Sequence, residues 1–304
     1  MAEAEELERT LLTVRDWLRY AVSRITEAGL AYGHGTASAL DEAAYLILHT
    51  LHLPIDQLEP WLDARLTLDE RRAVGAIIAK RITTRKPAPY LTNEAWVQGY
   101  AFYVDERVIV PRSYIGELLG SGLSAVVADA ENVGRVLDLC TGSGCLAILA
   151  ALAFPNALVD ASDVSADALA VAERNVATYE LGERITLERS DLFAELAGRK
   201  YDLILSNPPY VSAEALAAFP PEYAAEPTIA HAGGEDGLDI VRRILAEAGS
   251  HLSEDGALVV EIGTGREILE AEFPRLPFLW LDSADSEGEV FALAAKDLRG
   301  KKGR

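Results

Sequence analysis

Two short stretches hold the residues best suited to chemistry. The first is Asn207-Pro208-Pro209-Tyr210, which directly follows the apolar run of residues 202–206. Two consecutive prolines fix a stiff turn. Asn207 offers a carbonyl acceptor and an NH₂ donor, and Tyr210 offers an aromatic face. Together they form a slot for something planar that carries an NH₂ group. An amide or aryl amine nitrogen is a poor nucleophile, because its lone pair is delocalised. Asn207 Oδ1 and the Pro208 carbonyl could accept its two N–H groups and hold the developing lone pair toward an electrophile, with Pro209 and Tyr210 completing the slot. Positioning of that kind can supply about 7–11 kcal/mol of a transfer barrier, and the tetrapeptide carries no charged base. The plainer alternative is a simple Pro-Pro turn.

The second stretch is Asp138-Leu139-Cys140-Thr141-Gly142-Ser143-Gly144, at the end of an earlier apolar run. Gly142 and Gly144 let the backbone approach a ligand closely. Asp163 stands 19 residues after Gly144, followed by Val164, at a spacing suited to ribose hydroxyls. Asp191, followed by Leu192, ends the next apolar segment and would accept from the amine of an adenine; alone it would read as a solvated loop residue. Two cofactors compete for this layout. Gly142-x-Gly144-x-x-Ala147 satisfies the dinucleotide fingerprint. S-adenosylmethionine instead has no phosphate and carries a cationic sulfonium and amino group. Asp138, just before the turn, is an anion where a pyrophosphate would be repelled, so the pattern favours S-adenosylmethionine. A tight turn with no ligand is the remaining alternative. No Tyr-x-x-x-Lys pair supports hydride transfer.

These stretches need a scaffold. From residue 135 onward apolar runs alternate with glycine turns and helical patterns. This predicts an α/β domain with a mostly parallel sheet and an antiparallel last strand, in which ligands sit at the carboxyl ends of the strands. The expected strands are 136–139, 158–161, 185–187, 203–205, 257–262, 278–281 and 290–293. Earlier in the chain, apolar residues at helical spacing predict helices over 6–28, 41–52 and 67–85, the last started by a Thr67/Glu70 capping box. Residues 94–110 alternate with period two, predicting a hairpin with a third short strand at 108–110, and a helix is expected from Pro111 to about residue 130. The expected organisation is a helical domain over 1–92, a β-hairpin linker over 93–112 and the α/β domain over 113–304.

The formal charge is −20, divided as −2 over residues 1–92 and −18 over the rest. That balance argues against broad adhesion to nucleic acid or to an anionic membrane, and suits a basic partner. The amino terminus lacks the pattern of a signal peptide, and no run of apolar residues is long enough for a membrane span. A cytoplasmic location is expected by default. With two cysteines, Cys140 and Cys145, a disulfide framework and a four-thiolate zinc site are excluded, and both read as small core residues. His49 and His52 share a helix face, but too few ligands lie nearby for a metal. Trp96, Phe102 and Tyr103 read as hairpin packing, with Phe102 also placed to line a cofactor mouth. His34 reads as a turn residue, and Arg112 has two readings, a cofactor carboxylate or a domain junction.

The glycine turn with Asp138, Asp163, Asp191 and the Asn-Pro-Pro-Tyr tetrapeptide resembles the class I S-adenosylmethionine-dependent methyltransferases that act on planar amines. Cys140 departs from the glycine common in that class. Val108-Ile-Val-Pro-Arg-Ser113, Glu226-Pro227, Gly233-Gly-Glu-Asp-Gly-Leu238 and Val260-Glu-Ile-Gly263 extend the resemblance, over nearly the whole chain, to the HemK/Prm family of protein-glutamine methyltransferases. The stretches 13–24, 32–36, 41–43 and 49–54 are similar to its branch acting on large-subunit ribosomal protein uL3; the alternative branch methylates the Gly-Gly-Gln loop of release factors. The resemblance implies a Rossmann-like fold and methylation of a glutamine side-chain amide by S-adenosylmethionine. It also implies a cofactor site of Asp138, Cys140, Thr141, Gly142, Ser143, Gly144, Asp163, Val164, Asp191, Leu192 and Asn207, and substrate held by Asn207, Pro208, Pro209 and Tyr210. Neither a metal, nor nucleic-acid recognition, nor a membrane is implied. Less favoured readings are an adenine amino-methyltransferase, an NAD-dependent oxidoreductase and a non-enzymatic ribosome-assembly factor.

Overall fold

The computed structural model describes residues 2–284 and 286–299. The chain forms two compact units, one of Met1–Glu94 with Pro220–Ala225, the other of Ala95–Phe219 with Glu226–Arg304.

The first unit is helical: α1 (Ala2–Thr10), α2 (Val14–Glu27), α3 (Ala39–Thr50), α4 (Leu68–Thr84) and α5 (Ala88–Thr92). The single helix expected over 6–28 is two. Thr13 caps α2, its hydroxyl accepting from Asp16 N while the Asp16 carboxylate accepts from Thr13 N and Leu12 N. Apolar spacing runs through the break because Leu11 and Val14 both enter the core, so periodicity alone does not reveal it. Trp17, Ile25, Ile47, Val74 and Ile78 fill that core. Arg81 is fully buried beside it, donating to Glu42 Oε1 at 2.8 Å and to the Ala31 carbonyl at 3.1 Å. Glu222 lies in the same unit, paired with Arg85 at 2.6 Å. His34 is buried against the Tyr223 ring, 4.3 Å between centroids.

The second unit begins with the hairpin of β1 (Glu94–Val97) and β2 (Tyr100–Tyr103). Gln98 and Gly99 both have positive φ, 51° and 78°, as a two-residue turn between twisted strands requires. The third strand expected at 108–110 does not form. Val108 and Val110 are buried, but the Val110 amide donates to the Glu226 carboxylate and not to a neighbouring strand. The helix after Pro111, α6 (Tyr114–Gly120), is shorter than expected, because the chain turns through Gly122 and Leu123 at φ 66° and 50°. Trp96 remains 42 % exposed, whereas Phe102 is fully buried in the core and does not line the pocket at the strand ends.

The sheet contains β3 (Arg135–Leu139), β4 (Leu158–Asp163), β5 (Ile185–Arg189), β6 (Tyr201–Ser206), β7 (Leu252–Glu261), β8 (Leu279–Leu281) and β9 (Val290–Ala294), in the order β5-β4-β3-β6-β7-β9-β8. β3 to β7 are parallel, and β9 is antiparallel to both neighbours. The remaining helices are α7 (Cys145–Ala153), α8 (Ala166–Thr178), α9 (Ala213–Ala217), α10 (Asp239–His251), α11 (Arg266–Glu272) and α12 (Ala295–Arg299). Alternate strand residues feed two cores. Val136, Leu203 and Val259 pack with α7 on one face, and Leu137, Ile204 and Leu258 with α10 on the other. The architecture is the Rossmann-like doubly wound sheet that the alternating pattern predicts, with the order of strand addition switching sides between β3 and β6.

Removing Arg81 should strand the Glu42 carboxylate in the helical core. Arg81→Ala is expected to cost about 3–5 kcal/mol of stability, measured by urea denaturation. A loss below about 1 kcal/mol would mean that the pair behaves as a solvated one.

Candidate active site

The parallel register brings the site together. Leu139 pairs with Ser162 on one side and Ser206 on the other, so β3, β4 and β6 end at one level. The Ser206 hydroxyl donates to the Leu139 carbonyl at 3.0 Å. Beyond these ends lies a cavity of about 310 Å³, lined by Cys140, Gly142, Asp163, Val164, Asp191, Leu192, Asn207 and Pro209 among the residues singled out above. Asp138, Thr141, Ser143, Gly144, Pro208 and Tyr210 are outside the lining.

The members of the turn divide their work. Asp138 is fully buried, its Oδ2 accepting from the Thr141 hydroxyl at 2.6 Å, while Oδ1 makes no hydrogen bond. Burial raises its pKa from 3.8 to about 7; the Thr141 hydroxyl and, more weakly, the Ala147 amide oppose the shift. Gly144, at φ 79°, packs against Ala172, where an added Cβ would come within 3.1 Å of the Ala172 Cβ. The amides of the turn bond within the fold. Thr141 N donates to Ser162 O at 3.0 Å, Gly142 N to Asp163 Oδ2 at 2.9 Å, and Gly144 N to Thr141 O at 2.9 Å. They are therefore not arranged as a cradle for pyrophosphate. The acids at this end, buried Asp138 and cavity-lining Asp163, fit a cationic nucleoside such as S-adenosylmethionine better than a dinucleotide. Asp163 Oδ1 accepts from Ser165 N at 2.9 Å, and the Val164 amide also bears on this carboxylate. Burial raises the Asp163 pKa as well.

On the far wall, Asp191 pairs with Arg243 at 2.9 Å, and both line the cavity. Leu192 holds φ 51° and is buried below the opening. Val164 and Ile229, 46 % and 59 % exposed, present apolar surface at the mouth.

Asn207 follows β6 with its orientation set. Nδ2 donates to the Arg112 carbonyl at 3.1 Å, so Oδ1 is the end left for a donor. The Tyr210 hydroxyl donates to Glu261 Oε1 at 2.9 Å, and Glu261 Oε2 accepts from the Ser113 hydroxyl at 2.7 Å and Tyr114 N at 3.0 Å. Gly263 leaves room for the Tyr210 ring, since a Cβ there would lie 2.9 Å from ring carbons. Burial raises the pKa of both Glu261 and Tyr210. Arg112 pairs with Glu226 at 2.8 Å and does not line the cavity.

Sequence reasoning assigned no role to Glu226, Glu261, Arg243 or Asn175. Asn175 is buried, and its amide joins Tyr103 N, Tyr103 O and Ser143 O, tying the hairpin to the glycine turn. Its signal was a polar residue inside the apolar stripe Ala168, Val171, Ala172, Val176 of α8.

A glycine turn after the first sheet strand, acids ending the next two and an Asn-Pro-Pro-Tyr turn after the fourth, on this strand order, define a class I methyltransferase. In agreement, residues 119–219 match the family model described as methyltransferase small domain. The chain belongs to the family of ribosomal protein uL3 glutamine methyltransferases. It is 59% identical to the family's protein from Burkholderia pseudomallei over 94% of this chain and 95% of that one. It is 58% identical to that from Bradyrhizobium diazoefficiens, over 95% and 92%, and 56% identical to that from Bordetella pertussis, over 95% and 97%.

The shifted Asp138 has a measurable consequence. Between the unfolded value of 3.8 and the folded value of about 7, the native state binds more protons than the unfolded state. Stability should therefore fall as pH rises across that window and level off above it. Denaturant titrations at several pH values should show a shallower fall in Asp138→Asn, and an unchanged slope would remove Asp138 as a source.

Proposed function

We propose that the protein transfers a methyl group from S-adenosylmethionine to the side-chain amide nitrogen of a glutamine in ribosomal protein uL3. The observation that carries the chemistry is the fixed Asn207 amide, held through Nδ2 so that its carbonyl oxygen is the acceptor at the end of β6. Family membership supports the choice of substrate.

Bound S-adenosylmethionine supplies an electrophilic methyl on a sulfonium. The protein's part is placement. Cys140 and Gly142 line the cavity, and Asp138 next to them would take up the cationic tail in its ionised form, which a nearby cation favours against the desolvation that raises its pKa. Asp163 offers lone pairs to ribose hydroxyls, and Val164, Asp191 and Leu192 border the base. Asn207 Oδ1 and the Pro208 carbonyl accept the two N–H groups of the target amide, turning its nitrogen toward the methyl, while Pro209 and Tyr210 shape the slot. As the N–C bond forms the amide nitrogen becomes strongly acidic, so its proton leaves to solvent and no charged base is needed. The helical unit is assigned the docking of the protein substrate, and the −18 charge of residues 93–304 suits a basic partner. No helix among the described residues is long and apolar enough to cross a membrane. This fits a cytoplasmic enzyme whose partner is a protein and not a nucleic acid.

Asn207→Ala should lower turnover by on the order of 100-fold or more, while calorimetry shows S-adenosylhomocysteine binding within about threefold of the parent; near-normal turnover would refute the assigned role. Labelled methyl transfer to purified uL3 and to a release factor, side by side, tests the substrate. Labelling of the release factor alone overturns the assignment.

A further inference from the structure

We propose that Glu226 is a positioning residue of this methyl transfer: through Arg112 it fixes the carbonyl that decides which end of the Asn207 amide faces the substrate. The inference rests on the function proposed above and extends it to a residue outside the pocket.

The Glu226 side chain is fully buried. Its Oε1 accepts from Val110 N at 2.9 Å and from Arg112 Nη1 at 2.9 Å, and its Oε2 accepts from Arg112 Nη2 at 2.8 Å. His231 Nε2 lies 2.9 Å from the same Oε2. Arg112 Nη1 also returns to the Val110 carbonyl at 3.2 Å. A carboxylate has acceptor sites for all of these groups and cancels the guanidinium charge; a neutral amide would turn its own N–H groups against donors. Residues 110–112 are thus clamped in one extended conformation, and the carbonyl at its end receives Asn207 Nδ2. The segment that follows the tetrapeptide is held by backbone bonds of its own. Val211 N donates to the His231 carbonyl at 2.9 Å, and Gly233 N to the Val211 carbonyl at 2.9 Å. One carboxylate therefore holds, through Arg112 and the Val110 amide, the segment that touches Asn207.

An asparagine amide can sit in two orientations. With the Arg112 carbonyl in place, the flipped orientation sets oxygen against oxygen and is disfavoured. Once that carbonyl shifts, the flipped form becomes accessible and presents N–H groups to the N–H groups of the substrate. The loss then falls on turnover and not on cofactor affinity.

The test is a double-mutant cycle in the full-length protein, using uL3 as substrate. Glu226→Gln should lower kcat by about 10- to 100-fold, with KM and the calorimetric Kd for S-adenosylhomocysteine changed less than about threefold. In an Asn207→Ala background the same substitution should have almost no further effect on kcat, because the group it positions is gone. Melting temperature and S-adenosylhomocysteine binding report folding. If Glu226→Gln is too unstable for kinetics, Arg112→Lys, which keeps the charge but loses the two-pronged grip, replaces it in the cycle. Multiplicative losses in the double mutant, or an equal fall in S-adenosylhomocysteine affinity, would overturn the positioning role while leaving the proposed function intact. A parent protein that methylates neither uL3 nor a release factor overturns the functional reading, and this inference with it.

Discussion

The site depends on a register. Leu139, at the end of the central strand, is level with Ser162 and Ser206 on its two neighbours. A slip of one residue would move a strand end by about 3.3 Å and send each of its side chains to the opposite face. The register is held from both sides of the sheet, because alternate residues of the same strands enter two different cores. It is also held at the edge, by the bond from the Ser206 hydroxyl to the Leu139 carbonyl. Given that alignment, the glycine turn, Asp163 and Asn207 emerge side by side, and the chemistry of the cavity follows from which residues occupy three strand ends.

Around these ends the protein buries carboxylates, and what surrounds each one decides its behaviour. Glu226 meets a guanidinium and a backbone amide, which together balance its charge. Glu261 meets two hydroxyls and a backbone amide but no cation, and its pKa rises. Asp138 meets one hydroxyl within hydrogen-bonding reach, and burial carries its pKa to about 7. Desolvation is a large cost in every case, and it is offset in proportion to the donors provided. The two glutamates orient backbone and side chains of the catalytic segments. Asp138 keeps one oxygen without a hydrogen bond.

The parts of this design that local patterns encode were legible in the sequence. Strands β3, β4, β6 and β9, the glycine turn and the tetrapeptide fall where apolar runs meet Gly or Pro, and both signals act over a few residues. The division between α1 and α2 was also written locally, in Thr13 and Asp16, but helical periodicity ran across it and obscured it. The strand expected at 108–110 failed for a different reason. Alternating burial arises in any extended segment, and here the Val110 amide is claimed by a carboxylate 116 residues away. Likewise, Glu261 meets Ser113 across 148 residues and Asn175 meets Tyr103 across 72. Glu226 and Glu261 stood inside motifs that were noticed, yet one sequence carries no record of which distant segment each would reach.

The glycine fingerprint illustrates how a motif acquires its ligand. Gly142-x-Gly144-x-x-Ala147 is compatible with a pyrophosphate when the turn amides and the following helix N-terminus are available to an anion. In this fold the amides of Thr141, Gly142 and Gly144 bond to Ser162, Asp163 and Thr141. The amino end of α7 is already faced by a protein anion, since the Ala147 amide bears on Asp138. The turn and the helix end thus face an internal acid, whose ionised form would repel a phosphate and attract a cation. The two glycines supply only shape: Gly142 opens the wall of the cavity, and Gly144 lets α7 approach Ala172 of α8. The acid four residues before the first glycine sits where a pyrophosphate would meet an anion, so the spacing that suggests a dinucleotide here sits in a turn whose amides already have partners inside the fold.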